Sequence, residues 1–452
     1  MMITKINSTI VKPFLFIACP LKNLCVSRSA PEKISLELAI IVPIIKKVNL
    51  MGVTIERAIE SIIGIVGERY SEIVPLESAL GRVSGETVGA QIALPTFNNS
   101  AMDGYGLRGE FLDYEVVGKV LAGDAHTVAL QEGEALRITT GARVPESVER
   151  IIPQENVRRD GERIVIEKPV KIGANIRYMG EDIRHGEKVI ERGEKITAAH
   201  IGLLASQGIT HLKVYRRPRV SIFAGGSELK LHFETIEEAQ VYNSNTPYLI
   251  ARSQELGAKT TFVGRAEDSV ASLKSLITSA LDADLIVTSG GVSVGEADFT
   301  KEAFGELGFE PLFTKVAIKP GKPTTFGRIG RTLVLNLPGN PLASALNFEI
   351  FGKLLIRKLG GYKEAYQNVM MVPMAENFIQ KKAVDSVIPG FYDGNTFAPA
   401  EKYAPGMVNV LPHCNGIIIV SSETKVIQKG QSVKFIPIRW DFGSETFVDL
   451  KS

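Results

Sequence analysis

A chain of 452 residues is long enough for several domains, and 44% hydrophobic against 23% charged residues excludes wholesale disorder. Lys and Arg (52) nearly balance Asp and Glu (50), and a net charge of +2 excludes the global basic field of a general nucleic-acid binder. Cys19, Cys25 and Cys414, with no CxxC pair among them, exclude a disulfide framework and a cysteine-built zinc site, which points to a reducing, cytoplasmic setting.

The first 50 residues stand apart. They carry seven basic residues (Lys5, Lys12, Lys22, Arg28, Lys33, Lys46, Lys47) and two acidic ones (Glu32, Glu37), hence +5. Residues 51–452 hold the other 45 basic and 48 acidic residues, hence −3. The apolar patches PFLFIA and AIIVPII fall far short of the roughly 20 residues that a membrane span requires, and Lys12-Pro13 interrupts any secretory apolar run. A helix pattern begins directly after Met51, with Thr54 followed by Ile55, Ala58, Ile59, Ile62, Ile63 and Val66 at helical spacing. The pattern predicts that residues 1–50 are a leader, disordered or part of a misassigned start, and that the folded protein opens at Met51.

From Leu94 to Arg192 glycines recur and stretches such as ALRITT and ERIVIEKPVKI alternate with the period of half-buried strands. TAAHIGLLASQ predicts a helix stopped by Gly208. The character then changes. RPRVSIFAGG, DLIVTSGG and TLVLNLPG read as buried strands, separated by the helical segments SNTPYLIARSQELG and SVASLKSLITSAL. This alternation predicts βαβ units and a parallel sheet over residues 216–362, closed by the long helix ASALNFEIFGKLLIRKL. GIIIVSSET and SVKFIPIRW return to short strands and predict a small β domain over 363–452. The fold class is therefore multi-domain α/β plus β.

In an open α/β sheet, ligands bind beyond the carboxyl ends of the strands. Two glycine loops have that placement: Gly225-Gly226-Ser227-Glu228, and Ser289-Gly290-Gly291-Val292-Ser293-Val294-Gly295, which leads to Glu296 and Asp298. Glycine lets the backbone approach an anion, although one such pair alone is ordinary turn chemistry. Lys315, Lys319 and Lys322 lie within eight positions, two of them beside prolines that restrict the backbone, which suits an oxyanion or phosphate. A similar Pro-Gly turn, Pro338 to Pro341, precedes the long helix. Asp103, Thr140 and Asp182 fall in turns of the β-rich region; beside Glu228, Asp268 and Asp298 they would make a carboxylate cluster suited to a hard cation such as Mg²⁺. No Walker A or HExxH pattern occurs, and the six histidines are scattered, none beside a Ser or Cys in a nucleophile motif, which removes most support for triad hydrolysis.

In order along the chain, LPTFNNSAMDGYGLR, RITTGARVP, PQEN, GANIRYMGEDI, IGLLASQGI, TSGGVSVGEADF, VAIKPGKPTTFG and LPGNPLASALNFEIF resemble the molybdopterin molybdenumtransferase family, which includes bacterial MoeA and the gephyrin E domain. The resemblance spans residues 51–361. It implies a central α/β domain like that of molybdopterin adenylyltransferase, N-terminal β-rich domains over 51–215 with one inserted in the other at roughly 95–190, and a C-terminal β domain. It also implies a homodimer, with Asp103, Thr140 and Asp182 of one subunit facing Glu228, Asp268, Asp298, Lys315, Lys319 and Lys322 of the other. The implied reaction inserts molybdate into adenylylated molybdopterin and releases AMP with Mg²⁺, with Asp268, Asp298 and Glu228 as the metal set. Lys315 and Lys319 would hold oxyanion or phosphate oxygens. Gly225, Gly226, Ser227, Ser289, Gly290, Gly291, Ser293, Gly295, Lys322, Pro338 and Pro341 would shape the substrate cleft. Molybdopterin adenylyltransferase and cofactor-accepting enzymes are the implied partners, with neither nucleic acid nor membrane. Departures also show: Ser227 stands where the family carries an aspartate, and Lys382 is nearest to its C-terminal arginine. They leave a weakened scaffold, a tungstate-specific paralogue and an adenylyltransferase as alternatives.

Overall fold

Thr54 caps the first helix, α1 (Ile55–Ile65), by accepting a hydrogen bond from the Arg57 amide at 3.2 Å. Ile55, Ala58 and Ile62 on this helix are buried, the face that the apolar spacing marks. The structure is a computed structural model of the single chain and describes residues 52–67, 69–125, 128–290 and 298–440. The expected leader and start lie outside them.

Beyond α1 the chain turns to short strands. Ser71–Pro75 pairs with His211–Tyr215, and Val88–Gly89 pairs with Lys188–Ile190. Within those ladders the chain builds a six-stranded mixed sheet from Gly104–Leu107, Asp113–Val120, Glu134–Ile138, Arg150–Pro153, Val157–Asp160 and Arg163–Ile166. The stretch ERIVIEKPVKI makes a strand only over Arg163–Ile166; Pro169, with no amide proton to give, cannot extend the ladder. Helix α2 (Ala198–Ser206) opens with a reciprocal cap between Thr197 and His200. Gly208 follows it at φ +71°, the left-handed conformation that ends a helix.

The α/β region carries a sheet in the order β2-β1-β3-β6-β5-β4, where β1 is Arg219–Gly225, β2 Lys259–Ala266, β3 Leu285–Ser289, β4 Phe309–Phe313, β5 Thr325–Ile329 and β6 Thr332–Leu337. The first four in that order run parallel, and β4 and β5 add antiparallel pairings at one edge. Alternate residues feed two cores. Val220, Ile222, Leu285, Val287, Leu333 and Leu335 pack under α1 and α3 (Asn245–Glu255) on one face. Phe223, Ile286 and Val334 pack under α4 (Val270–Ala280) and α5 (Asp298–Glu306) on the other. Covering on both faces is what near-continuous apolar strands require. The expected closing helix comprises α6 (Pro341–Asn347), a π-helical turn over Phe348–Gly352, and α7 (Lys353–Leu359).

The C-terminal sheet is ordered Ile318–Lys319, Asp385–Tyr392, Gly416–Val420, Ser432–Pro437, Met370–Pro373. Its first strand belongs to the lysine-bearing segment, which therefore joins the two regions. Among the described residues no helix is long and apolar enough to cross a membrane.

Candidate active site

The carboxyl ends of β1, β3 and β6 open into a cavity of about 770 Å³. Gly225, Glu228, Ser289, Gly290, Pro338 and Pro341 line it, so six of the residues marked in the sequence are brought together. The loops touch. A Cβ on Gly290, whose φ is +72°, would lie 3.1 Å from the Gly225 carbonyl oxygen and 3.5 Å from Cα of Gly339, so only glycine lets them close this tightly. Buried Ser289 ties the same loops: its hydroxyl donates to the Pro338 carbonyl at 3.0 Å and lies 3.1 Å from the Ser344 hydroxyl.

Asn245, the first residue of α3, was not among the residues expected to act. Its Nδ2 donates to Ser289 Oγ at 2.7 Å and to the Gly339 carbonyl at 2.7 Å, bridging the β3 and β6 loops. A helix-opening asparagine reads in sequence as an ordinary cap, which hides this bridge.

Among the described residues Glu228 is the sole charged side chain lining the cavity. Beside it the Ser227 amide donates to Asp268 Oδ2 at 3.4 Å, so the loop after β2 that carries Asp268 is tied to the loop after β1 that carries Glu228. Asp298 begins α5, but its side chain lies outside the described residues, as do Gly291, Ser293 and Gly295. Among the described residues no three His, Cys, Asp or Glu side chains group as a metal site. Carboxylate oxygens on two adjoining loops fit a hard cation that completes its shell with substrate and water.

The lysine segment lies between this cavity and a second of about 680 Å³. Pro323 lines the first, whereas Lys319 and Pro320 line the second with Lys382, Gln380 and Ser386. Lys315 is half-buried and Lys322 exposed; the Lys315 carbonyl accepts from the Val53 amide at 2.9 Å, and that of Lys322 from the Val316 amide at 2.9 Å. The turn itself rests on buried Asn347 of α6. Its Nδ2 donates to the Pro320 carbonyl at 3.1 Å, and its Oδ1 accepts from the Thr324 hydroxyl at 3.0 Å. A Cβ on Gly321 would fall 1.8 Å from Asn347 Nδ2, so glycine is obligatory there. The positive charge of Lys382, and then its hydrogen bond, hold the Lys319 ammonium below the usual lysine pKa.

A third group sits on the N-terminal sheet. Asp103 Oδ1 accepts from the Thr140 amide at 2.7 Å and from its hydroxyl at 2.9 Å. These bonds, with Arg137 adding a smaller electrostatic effect, lower the Asp103 pKa. Asp182 is exposed, in a loop whose amide donates to the Leu94 carbonyl at 3.0 Å. The ladder of Asn99–Ser100 with Ile176–Arg177 brings these loops side by side. Within one chain, neither Asp103, Thr140 nor Asp182 lines either cavity among the described residues.

A parallel sheet covered on both faces, with glycine loops and a lysine turn beyond its strand ends, defines a binding fold for an anionic small molecule. Residues 53–208 match the MoeA N-terminal region (domain I and II), and residues 221–358 match the family described as a probable molybdopterin binding domain. A molybdopterin molybdenumtransferase of Haemophilus influenzae is 34% identical over 381 residues, 81% of this chain and 94% of that protein. Molybdopterin molybdenumtransferase 2 of Mycobacterium tuberculosis is 37% identical over 309 residues, 65% of this chain and 76% of that one. Two crystal structures of the MoeA protein from Pyrococcus horikoshii superpose with TM-scores of 0.74 and 0.76 at 28% and 24% identity, covering 86% and 85% of this chain and 99% of each. The chain belongs to the molybdopterin molybdenumtransferase family, enzymes of molybdenum cofactor biosynthesis.

Proposed function

We propose that this enzyme inserts molybdate into adenylylated molybdopterin and releases AMP with the help of Mg²⁺, in a cleft shared by two copies of the chain. The observation that carries the reading is the junction of a glycine-looped cavity, where Glu228 is the lone charge among the described residues, with a turn that presents Lys319 on its far side. An anionic pterin nucleotide beside a carboxylate needs a cation between them. Glu228 and Asp268, with Asp298 by family likeness, would hold Mg²⁺, which when bound supplies positive charge to the phosphate oxygens. Lys315 and Lys319 offset the negative charge of the incoming oxyanion. Asn245 and Ser289 hold the loops at the spacing the nucleotide requires. Asp103, Thr140 and Asp182 would reach the cleft from the second subunit.

Purified protein incubated with adenylylated molybdopterin, Mg²⁺ and either molybdate or tungstate tests this by AMP release. Release that depends on the oxyanion is the expected result, and the faster oxyanion identifies the metal. Binding without AMP release would select the scaffold alternative, and AMP release without oxyanion would remove the insertion step.

A further inference from the structure

At the opposite end of the α/β sheet lies another cavity, of about 520 Å³. The strands that end at the proposed active site begin here: Arg219 opens β1, and Asp284 immediately precedes β3. Seven residues of β1 at about 3.3 Å each separate the two ends by roughly 20 Å. Among the described residues four arginines line the cavity, Arg216, Arg219, Arg328 and Arg331, with Asp284 as the only carboxylate.

Their pairing is incomplete. Arg216 donates to Asp284 Oδ1 at 2.8 Å, and the Arg219 backbone amide takes Asp284 Oδ2 at 2.7 Å. That leaves the Arg219 Nε 4.0 Å from the same oxygen, buried and without a hydrogen-bond partner. Arg328 pairs with exposed Glu310 at 2.6 Å, while the Arg331 side chain enters no ion pair among the described residues. Among the described residues four guanidinium groups thus share two carboxylates, and one buried N–H lacks an acceptor, an arrangement that costs stability unless something supplies one. On the same wall Tyr70, 64% exposed, lies under the Arg216 guanidinium, 5.5 Å from ring centroid to Cζ. Guanidinium forks match phosphate oxygens two at a time, and an exposed ring offers a face to a planar group.

We propose that this cavity is a second binding site, distinct from the active cleft, for a phosphate-bearing small molecule with a planar ring. Arg219 and Arg331 supply the free donors, Arg328 adds charge at the rim, and Tyr70 receives the ring.

Calorimetric titration of the full chain with ADP, orthophosphate and adenosine tests it, beside the variant R328A/R331A and the active-cleft variant K319A. The expected result is saturable ADP binding in the natural protein and in K319A, weakened about tenfold or more in R328A/R331A. Orthophosphate should bind more weakly than ADP by the contribution of the ring, and Tyr70→Ala should erase that difference. Adenosine binding as tight as ADP, ADP binding unchanged in R328A/R331A, loss in K319A alone, or no binding at all would each overturn the proposal. Both arginines are solvent-facing, and an unchanged melting temperature for R328A/R331A verifies that its fold is intact.

Discussion

Asn347 lies fully buried, and its amide supports the Pro320-Gly321 turn from beneath. Replacing it with alanine strands the Pro320 carbonyl, while the Thr324 hydroxyl keeps its bond to the Gly321 carbonyl at 2.8 Å, and a buried polar group without a partner costs about 1–3 kcal/mol. Asn347→Ala should therefore lower the unfolding free energy from denaturant titration by that amount and raise the KM for oxyanion; a change in stability with KM untouched would detach the turn from substrate binding. Lys319 supplies the second test. The neighbouring charge of Lys382 lowers its pKa from the ordinary 10.5, so Lys319 loses its proton at a lower pH than a free lysine would. Oxyanion affinity should accordingly fall on the alkaline side below that ordinary value. Lys382→Met removes the repulsion, so the alkaline limb should move up in pH while affinity at neutral pH drops with the lost cation. A pH profile of kcat/KM for both proteins reads this directly, and an unmoved limb would exclude Lys319 as the oxyanion ligand.

At the scale of elements, α3 is fastened to the π-helical turn by a buried ion pair. Arg252 Nε donates to Glu349 Oε1 at 2.6 Å, its Nη2 to Oε2 at 3.0 Å, and the Tyr248 hydroxyl to Oε1 at 3.1 Å. Arg252 also donates to the Ile438 carbonyl at 2.8 Å, so one guanidinium joins the α/β core to the end of the C-terminal sheet. Burial works against the charge on Arg252, yet the Glu349 hydrogen bond prevails and raises its pKa. Arg252→Met should cost about 3–5 kcal/mol in chemical denaturation because Glu349, only 2% exposed, is left as an unpaired buried charge. Replacing Glu349 with leucine as well should recover much of the loss; a double variant as unstable as the single would assign the cost to packing instead. This pair was not legible in the sequence, since 97 residues separate its members. The same holds for β2: its residues are mostly half-exposed along a sheet edge, so neither an apolar run nor a clean alternation betrays it. Buried β1, β3 and β6 were legible for the opposite reason, because covering on both faces demands uninterrupted apolar residues.

For the whole molecule, what was legible of the site followed from local chain chemistry. Glycine loops and the proline-flanked lysines announce themselves because backbone geometry restricts which residues serve there. Asn245 did not, since it acts on loops reached only through the fold, and Lys382 was marked only by its place nearest the family's C-terminal arginine. The relation that rests on family likeness alone is that between Asp103 on the N-terminal sheet and Lys319 beyond the α/β sheet, which no cavity of a single chain unites among the described residues. Two-fold pairing of chains would unite them, with each cleft taking its acidic group from one copy and its lysines from the other. Mixing decides the matter. In a dimer of D103N with K319A, one cleft receives both lesions and the other receives neither, so each mixed dimer keeps one intact site. Random re-pairing of two inactive variants makes about half the dimers mixed, hence roughly one quarter of the natural activity should return. A cleft completed within one chain would instead carry one lesion at every site, and AMP release from the mixture would stay at the level of the separate variants.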